Sequence, residues 1–273
     1  MRADLHLHST YSDGKNTPDT ICSLAKARGL SLLSITDHDT LMGLEDKRLA
    51  AKKHGLHYLS GWEISAYEGE EKIHILGYGC QTGEEYERFT LKRKQASFAR
   101  VEESVRKCNE AGIGITVDEV LAMRLQKEAP AHTMHIARAL QKYVGGTDGE
   151  VYENYLARGK LANSNIGRPT PKEAIDVIHA LGGKAVLAHP GRIHTLDTVL
   201  LIDDLVAKGL DGIEAFYTTH TDSETARFQE IARGHGLIVT GGSDTHVEDN
   251  THAVGTPNFV LQDERLLALV EKF

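Results

Sequence analysis

Short apolar segments alternate with helix-periodic ones along most of the chain, and the alternation lapses once, in the middle. Residues 5–7, with Leu5 and Leu7 set between polar residues, predict a strand. Thr17-Pro18 sets a capping residue before a proline suited to the first helical turn. Ile21, Leu24 and Ala25 then share one face, and Gly29 marks the helix end. A strand is expected at residues 31–36, a helix up to Lys53, and strands at 57–63 and 72–78. From Glu84 to Asn109 the pattern becomes one long charged helix, broken by Gly112 and Gly114. Helical periodicity continues at 117–125, 132–143 and 150–157, with no convincing strand between 85 and 183.

The strand–helix rhythm returns at Thr170-Pro171-Lys172-Glu173, which combines a cap, a proline and an acidic first turn. Gly182-Gly183 ends that helix. Strands are predicted at 184–188, 212–217 and 237–240, with helices at 196–208, at 222–234 and from Asp263 onward. Such alternation on both sides of a helical stretch predicts an α/β barrel-like domain closed by both ends of the chain. Residues 1–84 and 171–273 would form the barrel, and residues 85–170 a helical insertion serving as lid or substrate subdomain.

Composition narrows the function. The chain has 273 residues, of which 40% are hydrophobic, enough to bury a core. No apolar run approaches the roughly 20 residues of a membrane span, and no basic-then-apolar start resembles a signal peptide, so a cytoplasmic protein without membrane partners is expected. Cys22, Cys80 and Cys108 form no C-x-x-C pair and read as reduced thiols. A net charge of −8 argues against binding duplex DNA, which needs a basic face. It leaves room for a phosphorylated ligand, because a metal cluster supplies positive charge locally.

The 15 histidines acquire meaning through spacing. In Asp4-Leu5-His6-Leu7-His8-Ser9, positions i and i+2 of a strand point to one face, so His6 and His8 project together. Asp244 and His246 repeat this after the predicted strand at 237–240, where Gly241 and Gly242 would let the backbone turn sharply. Further polar groups sit at other strand ends: Asp37-His38-Asp39, Glu63, His74 and His189, with Asp13 in the first loop. Singly, each has an ordinary structural reading as an Asx turn, a helix cap or a core histidine. Together they fall where barrel enzymes collect their catalytic groups.

In these segments the chain resembles the PHP family, named for polymerase and histidinol phosphatase. The matching pieces are residues 4–9, Ser12-Asp13-Gly14, residues 36–40, Gly61-Trp62-Glu63-Ile64-Ser65, residues 72–77, Ala188-His189-Pro190 and residues 242–246. The resemblance implies a distorted (β/α)7 barrel and three divalent ions. One would take His6, His8, Glu63 and Asp244. A second would share Glu63 and add His74 and His189. A third would take Asp13, His38 and His246. Imidazoles and carboxylates without thiolate suit Mn, Fe or Zn, with Mn favoured. The implied chemistry is phosphomonoester hydrolysis by a hydroxide bridging two ions, with Asp244 in the catalytic set.

Substrate contacts are expected from Arg192 and His194, close behind His189, with His194 the candidate general acid. Lys160 and Arg168, at the end of the helical stretch, could form a second phosphate pocket. His132 and His135 share a helix face; His135 is expected to line the pocket and His132 to be structural. The insertion, with Gly159-Lys160 and residues 188–192, resembles a subgroup acting on nucleotides. That implies a nucleoside 3',5'-bisphosphate substrate, with 5'-3' exoribonuclease action on short 5'-phosphorylated RNA as the alternative. The bisphosphate is preferred because aromatics are only 6% of the chain and offer no evident track for a longer strand. Histidinol phosphate phosphatase, metal-dependent C–N hydrolase and a non-catalytic docking module are the remaining readings. Oligomeric state is left open.

Overall fold

The computed structural model describes every residue except 195, 250 and 251. Among the described residues, two sheets carry the fold. The first has the order β3-β2-β1-β9, with β1 at Arg2–Asp4, β2 at Leu32–Leu33, β3 at His57–Tyr58 and β9 at Phe259–Val260. The second runs β4-β5-β6-β7-β8, with β4 at Gly61–Glu68, β5 at Glu71–Tyr78, β6 at Lys184–Leu187, β7 at Gly212–Tyr217 and β8 at Ile238–Gly242. Pairing is parallel except where β5 meets β4 and β6 and where β9 meets β1.

Hydrogen bonds join the sheets at both margins. On one side the Leu5 amide donates to the Gly241 carbonyl, and Leu7 bridges Thr245. On the other the Asp39 amide donates to Glu63, and the Glu63 amide to Asp37. Residues 5–8 thus lie wedged between the two sheets, beyond the short β1, where the sequence pattern predicted a strand at 5–7. The expected strand at 57–63 is also split: it changes sheets at Leu59-Ser60, and Tyr58 pairs with Leu33 on one side and with Glu271 near the C-terminus on the other.

Helices cover the outside. α1 (Pro18–Ala27) is capped by Thr17, whose side chain accepts from Thr20, and α2 (Leu44–Lys53) follows it. α3 (Glu84–Glu110) is the long charged helix; α4 (Val117–Ala122), α5 (Thr133–Val144) and α6 (Asp148–Val151), extended by a π-turn over Tyr152–Leu156, follow. These enclose a core of their own, including Val105, Cys108, Val120, Leu140 and Leu156. α7 (Pro171–Ala180), α8 (Thr198–Ala207), α9 (Asp222–His235) and α10 (Glu264–Leu267) complete the set. The apolar faces of α7, α8 and α9 pack on the larger sheet through residues such as Ile175, Ile178, Leu205 and Phe228. The three cysteines are free and buried.

Candidate metal centre

The strand ends converge on Glu63. It lies opposite Leu76 in the β4/β5 ladder while His74 lies opposite Ser65, so Glu63 and His74 are diagonal neighbours on one face. His74 Nδ1 lies 2.5 Å from Glu63 Oε1, and His189 Nε2 lies 3.2 Å from the same oxygen. The other oxygen, Oε2, is 3.2 Å from both His6 Nε2 and His8 Nε2 and 3.0 Å from His38 Nδ1. Asp244 Oδ1 approaches His8 Nε2 at 3.1 Å and His6 Nε2 at 3.4 Å. Further out, Asp13 lies 3.3 Å from His246 and 4.0 Å from His38.

Among the described residues, three sets of atoms are therefore close enough to share a cation: His6, His8, Glu63 and Asp244; His8, Asp13, His38 and His246; and His38, Glu63 and His74. His189 joins the last through its contacts with Glu63 and His74. The donor set fits divalent ions. Glu63 Oε2, His6 Nε2, both nitrogens of His8, His38 Nδ1 and His74 Nε2 are buried without a hydrogen-bond partner of good geometry. Buried polar atoms left this way are rare, and convergent lone pairs are what a bound cation would satisfy.

Electrostatics agree. Burial alone would raise the carboxyl of Glu63, but His74, His38 and His6 around it hold it well below the usual range. Asp13 and Asp244 stay ionised for the same reason. Burial pushes His74 down to about 3 and His38 well below its usual value, which keeps both imidazoles in the neutral form a metal needs. For His8, burial is outweighed by Asp244 and Glu63, which lift it to about 10. The pocket thus demands positive charge, from a proton or from a metal ion.

The backbone is shaped to the site. Only three non-glycine residues among those described have positive φ: Asp39 at 53°, His189 at 30° and Asp244 at 54°. Such conformations cost about 1–3 kcal/mol each and persist where surrounding structure enforces them. Gly242 acts by close approach rather than by the sharp turn expected of it: an added Cβ would stand 2.4 Å from His6 Cβ. At Gly14 a Cβ would meet the His8 carbonyl oxygen at 2.3 Å.

Sequence reasoning missed the supports behind these groups. Glu214 is fully buried; its carboxylate lies 3.0 Å from His6 Nδ1 and accepts from the His189 amide at 2.8 Å. It fixes which nitrogen of His6 faces the pocket. A lone carboxylate inside the apolar run Gly212-Ile213-Glu214-Ala215-Phe216 was the available signal. Tyr217 donates to Asp244 Oδ2 at 2.9 Å; burial, then Asp244, push its phenol up, so it remains a donor. Asp37, for which a helix cap was one ordinary reading, accepts from the Ser9 amide and from both serine hydroxyls of the first loop. It also lies 2.6 Å from the fully buried Lys47.

A cleft of about 670 Å³ opens over the centre. Arg168, Arg192 and His194 all line it. Arg192 Nη1 lies 3.2 Å from the Tyr217 hydroxyl and 3.5 Å from Asp244. Arg168 lies 3.2 Å from Asp39. Two expected contacts fall elsewhere. Lys160 is exposed and does not line the cleft. His135 is buried away from it, its Nδ1 accepting from the His132 amide across one helical turn, and His132 is the one that faces the cleft. His132 precedes α5 as its N-cap, and its ring lies 5.7 Å from that of His135, centroid to centroid. Lys72, two residues before His74 on β5, was not foreseen.

The family model described as PHP domain matches residues 4–182. The chain belongs to the PHP family. This PHP chain is 35% identical over 255 residues to a phosphoribosyl 1,2-cyclic phosphate 1,2-diphosphodiesterase of Eggerthella lenta, a match covering 90% of this chain and 94% of that one. It is 34% identical to a 3',5'-nucleoside bisphosphate phosphatase of Chromobacterium violaceum, covering 89% and 86%, and 32% identical to a 5'-3' exoribonuclease of Haemophilus influenzae, covering 89% of each. A solved structure from Bifidobacterium adolescentis, described as a metal-dependent phosphoesterase, superposes with a TM-score of 0.83 at 29% identity, covering 97% of this chain and 94% of that one. The PHP chain is a metal-binding hydrolase of phosphate esters. No helix among the described residues is long and apolar enough to cross a membrane.

Proposed function

We propose that this PHP chain removes one phosphate from nucleoside 3',5'-bisphosphates. The observation that carries the reading is the pairing, in one cleft, of an anionic metal-ligand cluster with the cations Lys72, Arg168 and Arg192. A substrate with two phosphates meets both. The 34% identity to the bisphosphate phosphatase supports it. The two sheets, joined at both margins, are then two arcs of one distorted (β/α)7 barrel, and residues 85–170 form its helical lid.

Three divalent ions, preferably manganese, would be held by His6, His8, Glu63 and Asp244; by Glu63, His74 and His189; and by Asp13, His38 and His246. Bound there, they supply Lewis acidity and positive charge for hydrolysis at phosphorus. The chain's own groups do the rest. Glu214 and Tyr217 hold His6 and Asp244 in orientation. Arg192, beside Asp244, donates to the phosphate oxygens. His194, at the cleft wall, gives its proton to the leaving alcohol oxygen.

Exonucleolytic action on short 5'-phosphorylated RNA is the second reading, supported by Tyr67 and Tyr152, which line the cleft and offer ring faces for stacking. Product analysis separates the two. The manganese-loaded protein should convert adenosine 3',5'-bisphosphate to AMP and one equivalent of phosphate. Mononucleotides from a 5'-phosphorylated RNA, with the bisphosphate left intact, would replace the first reading by the second.

A further inference from the structure

Lys47 is a charge in an apolar place. It lies on the buried face of α2 with Leu44, Ala50 and Ala51, and no part of its side chain is exposed. Burying a charge is costly unless it is paired. Among the described residues its one carboxylate partner is Asp37, whose Oδ2 lies 2.6 Å from Nζ. The ring of Tyr11 covers the pair from the first loop, with Nζ 5.8 Å from the ring centroid. Tyr11 in turn rests on Gly43, where an added Cβ would collide with the ring, and its hydroxyl donates to Asp46. None of these groups belongs to the metal-ligand sets.

A carboxylate offers about four lone-pair sites, and four donors reach that of Asp37. Its Oδ1 accepts from the Ser9 amide at 2.8 Å and the Ser12 hydroxyl at 2.6 Å. Its Oδ2 accepts from the Ser9 hydroxyl at 2.7 Å and faces Lys47. Three of the four donors come from the loop that presents Asp13, and Asp37 itself stands directly before His38. Asp37 therefore holds two ligands of the outer cation set from behind. The third, His246, is tied to the same loop, because the Lys15 amide donates to its carbonyl at 2.9 Å. His8 is held separately, its amide donating to the Thr245 carbonyl at 3.0 Å.

We infer that Lys47 is a positioning residue for the outer cation site formed by Asp13, His38 and His246. Its charge completes the pairing of the Asp37 carboxylate, and that carboxylate sets the course of the loop carrying Asp13. Lys47 meets neither a ligand atom nor solvent, so it acts through Asp37. That an ion occupies this set rests on the function proposed above.

The test compares wild type with Lys47→Met, with Asp13→Ala and with the two changes combined. Equilibrium dialysis at buffered free manganese concentrations gives the number of ions and the affinity of each, and the unfolding midpoint of the metal-free protein checks folding. Lys47→Met should bind one ion of three roughly tenfold more weakly, the low end of what partners behind metal ligands carry. The loss is partial because Arg138 Nη2 still donates to the Asp13 carbonyl at 2.8 Å. The two remaining ions should bind as in wild type, and adding Lys47→Met to Asp13→Ala should change nothing further. A role confined to packing would lower the midpoint and leave three wild-type affinities, or weaken all three alike; either result in folded Lys47→Met overturns the inference. If Lys47→Met folds poorly, Lys47→Met with Asp37→Asn decides. That variant leaves no buried charge unpaired, but its amide accepts at one oxygen only, so the same ion should weaken; wild-type affinity for all three would overturn the inference. Equal ion numbers in wild type and Asp13→Ala would remove the three-ion reading and this inference with it. Three ions in wild type, unaffected by the Lys47 variants, would remove this inference alone.

Discussion

The strand ends and the helical insertion bring opposite charge to one cleft. At the strand ends Asp13, Glu63 and Asp244 stay ionised among imidazoles, and Glu63 Oε2 is buried without a hydrogen-bond partner of good geometry. At the junction with the insertion Arg93, Arg100 and Arg168 are buried, with a single carboxylate in ion-pairing range of them among the described residues. Either side alone would be an uncompensated burial of charge. The first is relieved by a metal cation and the second by a substrate anion, so the same principle, the cost of desolvated charge, assigns opposite ligands to the two sides. The difference lies in the elements that build them. The metal side is fixed by strand ladders and backbone in enforced conformations, whereas the cationic side is built from a helix, a strand and the segment before α7.

The sharpest way to break this comparison is to remove a ligand. His6→Ala or Asp244→Asn should lower turnover more than about 100-fold, exceeding the loss expected for outer partners. Metal analysis and single-substrate kinetics would check it, and near-normal turnover in both would dissolve the proposed cluster. Next, Glu214→Gln should weaken metal affinity by roughly 10- to 100-fold, because the His6 ring loses the group that orients it. Titration of the metal-free variant against a chelating dye would show it; wild-type affinity would reduce Glu214 to packing.

The two sides also differed in how far the sequence announced them. His6 and His8, or Asp244 and His246, stand two apart beside apolar strands, and period-two geometry forces such pairs onto one face. The mixed α/β alternation followed from the same periodicity, down to the caps at Thr17 and Thr170 and the long α3. Where the reading failed, long-range pairing had decided. Residues 5–8 are held by Gly241 and Thr245, and the split at Leu59-Ser60 is set by pairing with Glu271 and β5. On the cationic side Arg168 was expected, but Lys72, Arg93 and Arg100 were hidden because they are far apart in sequence and look like solvated charge. Arg93 and Arg100 sit within a highly charged helix, and nothing local marks them as its buried face. Lys160 was the reverse case, a basic residue in a suggestive motif that stays in solvent.

A protonation experiment sharpens the metal side. In the metal-free protein His8, lifted from 6.5 to about 10, is protonated at neutral pH. Its stabilising charge is fully present below 6.5 and lost as pH rises through about 10. A metal must displace that proton, so loading at neutral pH should release at least about one proton per protein. Calorimetry in buffers of different ionisation enthalpy reads this directly, and buffer-independent heats would contradict it. Smallest is the effect on the cationic side's surface: Lys160→Ala should change KM for the bisphosphate less than about twofold, as an exposed charge outside the cleft. Arg168→Ala should raise it by roughly tenfold with little change in kcat. Equal effects from the two would erase the distinction between lining and surface cations.

The central claim is that one cleft recognises two phosphates, and its most direct test is kcat/KM for the manganese-loaded protein across a matched panel. The panel holds adenosine 3',5'-bisphosphate, AMP, histidinol phosphate and a short 5'-phosphorylated RNA. The account predicts a clear preference for the bisphosphate, with AMP as a product turned over slowly or not at all. Equal rates on AMP and the bisphosphate, or a preference for histidinol phosphate or RNA, would contradict it.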